Sequence, residues 1–456
     1  MTSEMDIIND LPTELLCQVF DHFSHIEQNI VMRTCARWFE ILTGDRYIRR
    51  RRLCLCAYNL CREGDNMEEM QRYRAFTVNS LVTNRNKNVF LEPLRRFLFN
   101  GNMAEQLEEL RLTQFRHSLA QLFTSDSELL LPNLKKISFQ YLKGDNSEQD
   151  GHSVKLVAPK LRIMKLELWS PAIAPMVRRF SGQIEDLSIT FQHLQCFSPS
   201  IDTLSFENLR SLTLNAEPEH SFLESTFNAQ HVQLFSRLTY LKLTDTGDAF
   251  YPVYKNIFQA ACNLETLIIY GQDISEDAFN VLGSLEKLKE LQLMIHIEKT
   301  DSVRKLSFPK LTRLKTFVGS LIPLENVPQL RILTVANHTP FRMRFLFSDA
   351  EKLMTFFGAF RQQLEVLKLD KISTLYNTFA KQICTLTKLK MLEMIDVETE
   401  QQDIEWIVGS LKQLQRAHFI RCNILKKAVE EQNDDCFHAL RQRNVDCEIA
   451  YEACFR

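Results

Sequence analysis

Glycine is scarce, 12 residues in 456. Loops that wrap phosphates are built largely on glycine, so the count weighs against most nucleotide-binding loops before any motif is sought. No apolar run approaches the roughly 20 residues that a membrane-crossing helix needs. The 12 cysteines are spread over the whole chain, far below the density of a disulfide scaffold. Met1 to Asp10 is polar and acidic, with no apolar targeting core. The expected setting is therefore the cytosol or nucleus, with reduced thiols. Asn337-His338-Thr339 fits a glycosylation sequon, but a chain outside the secretory route has no use for it.

An excess of one charge is also missing. Lys plus Arg is 55 against 57 for Asp plus Glu, a formal net charge of -2. That balance calls for neither nucleic acid nor an acidic membrane as a partner. The sequence holds no Walker loop, no dinucleotide loop, no G-x-S-x-G elbow and no H-E-x-x-H. Cys54, Cys56 and Cys61 come nearest to a metal motif, but their spacing offers no fourth ligand. The plain reading is buried thiols in a helix. His338 and His418 have no nucleophile beside them and read as satisfied or solvated. No catalytic residue, metal or cofactor is expected, so an enzyme is the least favoured class.

What is present is ordinary globular material, 45% hydrophobic and 25% charged. The most informative stretch is Leu11-Pro12-Thr13-Glu14-Leu15-Leu16-Cys17-Gln18-Val19-Phe20-Asp21-His22-Phe23. Asn9 or Asp10 can cap a helix here, with Pro12 in its first turn. Apolar residues at 11, 15, 16, 19, 20 and 23 make a wide helical stripe. Ile30, Val31, Met32, Cys35, Trp38, Phe39, Ile41 and Leu42 form a second cluster, ended by Gly44-Asp45. The expectation is three short helices in about 40 residues, a unit too small to bury its large apolar residues unaided. Arg49 to Arg52 is a basic run. It reads as the solvated end of the third helix, with nuclear import as the functional alternative.

Leu11-Pro12-x-Glu14-Leu15-Leu16-x-x-Val19-Phe20-x-x-Phe23, followed by Cys35-Ala36-Arg37-Trp38, resembles an F-box over residues 7–52. The resemblance implies docking on the small Skp adaptor, itself held by a cullin scaffold. The matching residues are Leu11, Pro12, Leu15, Leu16, Val19, Phe20, Phe23, Cys35 and Trp38. The sequence departs from the family at Thr34 (usually valine), at Gln28 and Asn29 (usually leucines) and at Tyr47-Ile48 (usually Leu-Trp).

From residue 73 a phrase recurs, apolar-x-x-apolar-x-apolar. It opens at Tyr73, Leu107, Leu134, Leu161, Ile184, Leu209, Leu238, Leu264, Leu288, Leu311, Leu330, Leu364, Leu389 and Leu414. At 45% apolar content a single match arises by chance at about 9% of positions. The weight lies in the spacing, gaps of 19 to 34 residues averaging about 26. Pro132, Pro159, Pro309 and Pro328 each stand two residues before an opening leucine and end the preceding segment. Each unit reads as strand, turn and helix. A single unit cannot bury its own apolar side, so the units should stack into a curved parallel sheet with helices outside. Thr316 and Ala417 weaken two of the phrases. The pattern resembles leucine-rich repeats of the irregular kind found behind F-boxes, although their usual Asn or Cys after the strand is met only by Cys422.

The expected organisation is α/β, with the F-box at 7–52, a joint at 53–72, repeats at 73–425 and a C-terminal cap at 426–456 made of a helix and a last strand. The resemblance implies a non-catalytic substrate adaptor of a Skp–cullin–F-box ubiquitin ligase. The alternative is a leucine-rich-repeat binding scaffold with no ubiquitin role. Alternate strand residues point away from the core. Among these, Tyr240, Lys242, Ile268, Tyr270 and Met294 form the expected centre of a substrate site, because large apolar and aromatic groups on an open face mark interfaces. Thiol titration of the denatured, unreduced protein made in a reducing cytosol should count all 12 cysteines as free; a smaller count would place disulfides in the chain.

Overall fold

The computed structural model describes residues 11–56, 70–79, 91–113, 122, 128–140, 155–167, 174–191, 206–216, 229–245, 253–297, 306–317, 324–336, 356–358, 360–372, 377–425 and 445–450. Cys61, His338, the sequon and most of the proposed cap lie outside them. The described residues fall into two compact units. One runs to Thr190 with residues 206–208, the other holds Phe191 and everything from Leu209 onward.

The first unit opens on four helices, α1 (Thr13–Asp21), α2 (His25–Val31), α3 (Ala36–Leu42) and the one-turn α4 (Asp45–Ile48). The fourth is an addition to the three expected. Pro12 is the residue before α1 rather than part of its first turn. Its carbonyl accepts from the N–H groups of Leu15 and Leu16, and a missing N–H costs nothing there. Ser24 caps α2 reciprocally with Glu27: the Ser24 N–H donates to Glu27 Oε2 at 2.6 Å and the Glu27 N–H to Ser24 Oγ at 3.3 Å.

Six parallel strands follow: β1 (Arg52–Cys56), β2 (Ala75–Asn79), β3 (Glu109–Thr113), β4 (Lys136–Gln140), β5 (Ile163–Leu166) and β6 (Asp186–Phe191), each paired with the next. β1 corrects two expectations. Residues 52–56 are a strand, not a helix, and Cys54 is exposed on it. The sheet thus begins within what reads as a joint.

The second unit carries ten parallel strands, again paired in chain order. They are β7 (Ser211–Ala216), β8 (Tyr240–Asp245), β9 (Thr266–Ile274), β10 (Glu290–Ile297), β11 (Arg313–Phe317), β12 (Ile332–Ala336), β13 (Val366–Asp370), β14 (Met391–Ile395), β15 (Arg416–Ile420) and β16 (Asp446–Ala450). From β2 to β15 every strand starts two residues after the opening residue of its phrase. The second and third apolar residues face the core, and even Thr316 and Ala417 are buried at their inward positions.

The stretch before each strand explains the prolines. Leu134, Leu161, Leu311 and Leu330 donate their N–H to Leu131, Ala158, Phe308 and Val327 at 3.1–3.2 Å, closing turns with proline in the second place. Just upstream of each lies a short strand instead of a helix: Leu129–Leu130 with Leu156–Val157, and Leu306–Ser307 with Leu324–Asn326. Residues ahead of a proline are held extended, so these units depart from the strand–turn–helix expectation. Units without the proline carry helices such as Tyr254–Ala260, Glu276–Leu282 and Gln401–Ser410.

Two side-chain ladders accompany the backbone ladder. Asparagine or glutamine stands immediately before several opening residues, and its amide donates back to a carbonyl of the preceding turn. Asn133 reaches Glu105 O at 2.5 Å, Gln183 reaches Ala158 O at 2.7 Å, Asn208 reaches Gly182 O at 2.6 Å and Asn263 reaches Ser236 O at 2.7 Å. Immediately after the opening residue, opposite charges meet at several steps of the stack. Glu108 lies between Arg74 and Lys135, both at 2.7 Å, and Glu365 lies between Lys390 at 2.8 Å and Arg331 at 3.6 Å. The Lys135 hydrogen bond, reinforced by Arg74 against the effect of burial, holds the Glu108 carboxyl below its ordinary range.

A carboxyl depressed on folding stabilises the protein fully above its ordinary value, here 4.5, and loses that contribution as pH falls through its folded value. Glu108→Gln should therefore lower stability at pH 7 by about 0.5–1 kcal/mol and flatten the acid side of the stability profile. Glu185→Gln, which removes a single exposed bridge to Arg162, should leave the melting temperature unchanged. Equal effects of the two substitutions in thermal melts at pH 4 and 7 would remove the ladder's claim to a special role.

Candidate functional site

The wide stripe on α1 does two jobs. Leu16, Cys17 and Phe20 face inward and form one core with Leu42 and Tyr47, with Leu11, Phe23 and Trp38 packed against it. Phe20 meets the edge of Trp38 with ring centroids 5.5 Å apart. The Tyr47 hydroxyl donates to Cys17 O at 2.9 Å, and Arg37 donates to Leu11 O at 2.7 Å, which ties the Leu11-Pro12 segment to α3. Pro12, Leu15 and Val19 turn the other way, at i, i+3 and i+7 of one helical line.

Leu15 and Val19 are each 44% exposed, and Ile30 on α2 and Phe39 on α3 are 63% and 53% exposed. Among the described residues seven large apolar side chains are exposed, and these four all lie between residues 15 and 39. A small module that leaves so much apolar surface open is built for a partner. The sequence-predicted set is thereby divided. Pro12, Leu15 and Val19 are available to a partner, whereas Leu16 and Phe20 are interior, and Leu11, Phe23, Cys35 and Trp38 are half-buried. Ile30 and Phe39 were not singled out from the sequence, although both belong to its second apolar cluster.

Gln28 replaces a family leucine, and the structure shows how it is tolerated. Its side chain is buried and Nε2 donates to Phe20 O, near the end of α1, at 3.0 Å and to Phe23 O, just beyond it, at 3.3 Å. Its Oε1 is buried with no partner among the described residues.

The module is fastened to the strands. Tyr47 and Ile48 are buried, and Arg72 donates to Thr43 O at 2.9 Å and to Asp45 Oδ1 at 3.1 Å. Three arginines of the basic run pair with carboxylates and remain exposed to solvent. Arg46 and Arg50 both pair with Asp21, Arg49 with Asp45 and Arg52 with Glu109. Burial raises the Asp21 carboxyl, but hydrogen bonds and charge from Arg46 and Arg50 prevail and leave it below the ordinary range.

On the second unit, the outward positions of β8 to β10 bring four of the five expected substrate residues to an accessible face. Lys242 pairs in register with Ile268, and Thr244 with Tyr270. Lys242 Nζ sits 5.6 Å from the centroid of the Tyr270 ring, and the Tyr270 hydroxyl donates to Gln292 Oε1 at 3.3 Å. Tyr240 is partly exposed on the same side. Met294 is the correction. It is only 6% exposed and packs with Phe317, Ala336 and the edge of Tyr270 in a small covered cluster. Outward direction alone does not expose a residue when its neighbours in the row are large and apolar. Among the described residues no group of three His, Cys, Asp or Glu is placed to hold a metal ion.

The fold and the module define a helical docking unit fused to a parallel repeat sheet. Residues 8–55 match the F-box-like family. No curated protein matches the chain. Solved structures similar to it include an internalin (inlF) from Listeria monocytogenes, at 12% identity and TM-score 0.33, covering 93% of each chain. The Arabidopsis receptor kinase HAESA LRR ectodomain is similar at 13% identity and TM-score 0.29, over 82% of this chain and 69% of that one. TLR13 in its complex with ssRNA13 is similar at 16% identity and TM-score 0.45, over 86% of this chain and 55% of that one. The chain thus carries an F-box-like module at residues 8–55, followed by a parallel repeat sheet.

Burial assigns opposite phenotypes to neighbours on α1. Phe20→Ala should unfold or loosen the module, at a cost of about 3–5 kcal/mol. Leu15→Ala should cost well under half of that. Hydrogen exchange of the α1 amides distinguishes them, and equal protection in both variants would contradict the assignment.

Proposed function

We propose that the protein is the substrate-recognition subunit of a Skp–cullin–F-box ubiquitin ligase, with no catalytic residue of its own. The observation that carries this reading is the exposed apolar set Leu15, Val19, Ile30 and Phe39 on an F-box-like module whose interior is otherwise complete. The Skp adaptor covers that set and connects the chain to a cullin. A substrate protein binds the outward face of the repeat strands, centred on Tyr240, Lys242, Ile268 and Tyr270.

The mechanism is proximity. Holding a substrate lysine near a thioester-charged conjugating enzyme raises its effective concentration, and the bond-making groups belong to other subunits. Orientation supports this only if the link between adaptor and substrate faces is stiff. The Arg72 contacts and the direct run from α4 into β1 supply such stiffness at the module's own end. The protein works in the cytosol or nucleus on this reading.

Leu15→Asp with Val19→Asp should leave the melting temperature near wild type, because both side chains are exposed, and should abolish co-purification with the Skp adaptor. Retained adaptor binding by a folded double variant would end the ligase reading.

A further inference from the structure

Some cations of the second unit are matched by a carboxylate. Lys289, Arg331, Lys368, Lys390 and Arg421 all have one within 2.7–3.6 Å. The outward face of β8 to β11 differs. Lys242 lies against the Tyr270 ring, and neither it nor Arg313 nor Lys315 has a carboxylate within ion-pair reach among the described residues. One carboxylate, Glu290, shares the face. It accepts from Gln292 Nε2 at 2.8 Å. Three cations against one anion leave a net charge of +2 on a surface that also presents Tyr240 and Ile268.

The registers fix how these groups are spaced. Lys242, Ile268, Gln292 and Lys315 form one row across four consecutive strands. Neighbouring strands lie about 4.8 Å apart, so the two lysine backbones stand about 14 Å apart. An extended peptide rises about 3.4 Å per residue, so that distance corresponds to about four residues. Between the lysines the row offers an aliphatic side chain and an amide. Beyond it, on the side of the strand C-termini, lies the buried cluster of Met294, Phe317 and Ala336.

We infer that this face takes an extended acidic segment of a partner protein, crossing β8 to β11. One carboxylate reaches Lys242, a second, four residues along, reaches Lys315 and Arg313, and an apolar residue between them packs on Ile268 beside Tyr270. The inference deepens the reading of this face as the substrate side and rests on it. Spread cations favour separate carboxylates. A single phosphate is best held by converging guanidinium and amide donors, whereas here one arginine stands beside one lysine and the other lysine is about three strands away.

The test uses the full chain purified with its Skp adaptor and fluorescein-labelled peptides read by anisotropy. One peptide carries two glutamates four residues apart around a central leucine. A second has glutamines in their place, and a third has one phosphoserine and no glutamate. The glutamate peptide should bind at least about tenfold more tightly than the glutamine peptide. Its binding should weaken as salt rises, as contact between exposed charges requires. Lys242→Glu with Lys315→Glu should abolish binding of the glutamate peptide, and Lys242→Gln with Lys315→Gln should weaken it about tenfold. Adaptor co-purification should be unchanged in both variants. Equal binding of the glutamate and glutamine peptides, no saturable binding by any peptide, or full binding by the charge-reversed variant would each overturn the inference. Tighter binding of the phosphoserine peptide would overturn the distributed-carboxylate reading in favour of a phosphate site. In all these cases adaptor co-purification reports separately on the ligase reading, which fails only if that is lost or absent.

Discussion

Five residues of extended chain bury two apolar side chains and leave unpaired N–H and C=O groups along both edges. Neither condition is stable alone. Both are relieved when the next strand arrives in register, and nearly everything else in this protein serves that register. The backbone ladder continues upstream of the strands, with Glu265 N–H on Thr239 O, Lys289 on Glu265 and Thr312 on Lys289 at 2.8 Å in each case. A one-residue slip would turn every inward leucine outward. The charge ladder adds only modestly to stability beside this backbone register.

That requirement also explains why the units look irregular yet stack regularly. What lies between two phrases is free to be a helix, a proline turn with a short strand, or something longer, provided the chain returns to the same hydrogen bond at the opening leucine. Gaps as different as 19 residues (Leu311 to Leu330) and 34 residues (Leu330 to Leu364) meet that condition. The amides of Asn133, Gln183, Asn208 and Asn263 help by tying each turn to the one before it. They occupy the task that an asparagine after the strand performs in more regular repeats. At that position this chain has Ile372, Val397 and Cys422, of which only Cys422 donates to a carbonyl, Met394 O at 3.3 Å.

The inward half of this design was legible beforehand because burial imposes a period on apolar residues. The phrase openings therefore locate fourteen strands from Tyr73 onward. The outward half was less legible. Met294 reads as exposed from its alternation, but it is sealed because Phe317 and Ala336 flank it, and a single strand does not reveal its neighbours two strands away. β1 was missed for a related reason. Its sequence, Arg-Leu-Cys-Leu-Cys, follows a helix without a break, and only pairing with Ala75–Asn79 makes it a strand. In the F-box-like module the wide α1 stripe was visible, but not its division into an interior half at Leu16 and Phe20 and an open half at Leu15 and Val19. That division depends on where Leu42 and Tyr47 pack, which no local pattern in α1 encodes.

On the proposed function, the strand that the sequence does not announce is the one that ties the module to the sheet. A proximity mechanism loses its effect if the adaptor-bound module swings freely, because effective concentration falls as the accessible volume grows. Here α4 ends at Ile48 and β1 starts at Arg52, leaving three residues between a helix packed on the module core and a strand hydrogen-bonded into the sheet. Arg72 crosses back from the β2 side to Thr43 and Asp45, and Arg52 pairs with Glu109 over the small Ala75. Arg49, Arg50 and Arg52 of the arginine run pair with carboxylates while remaining exposed to solvent. Under the proposed function, this junction then adds no hinge between the F-box-like module and the first strands.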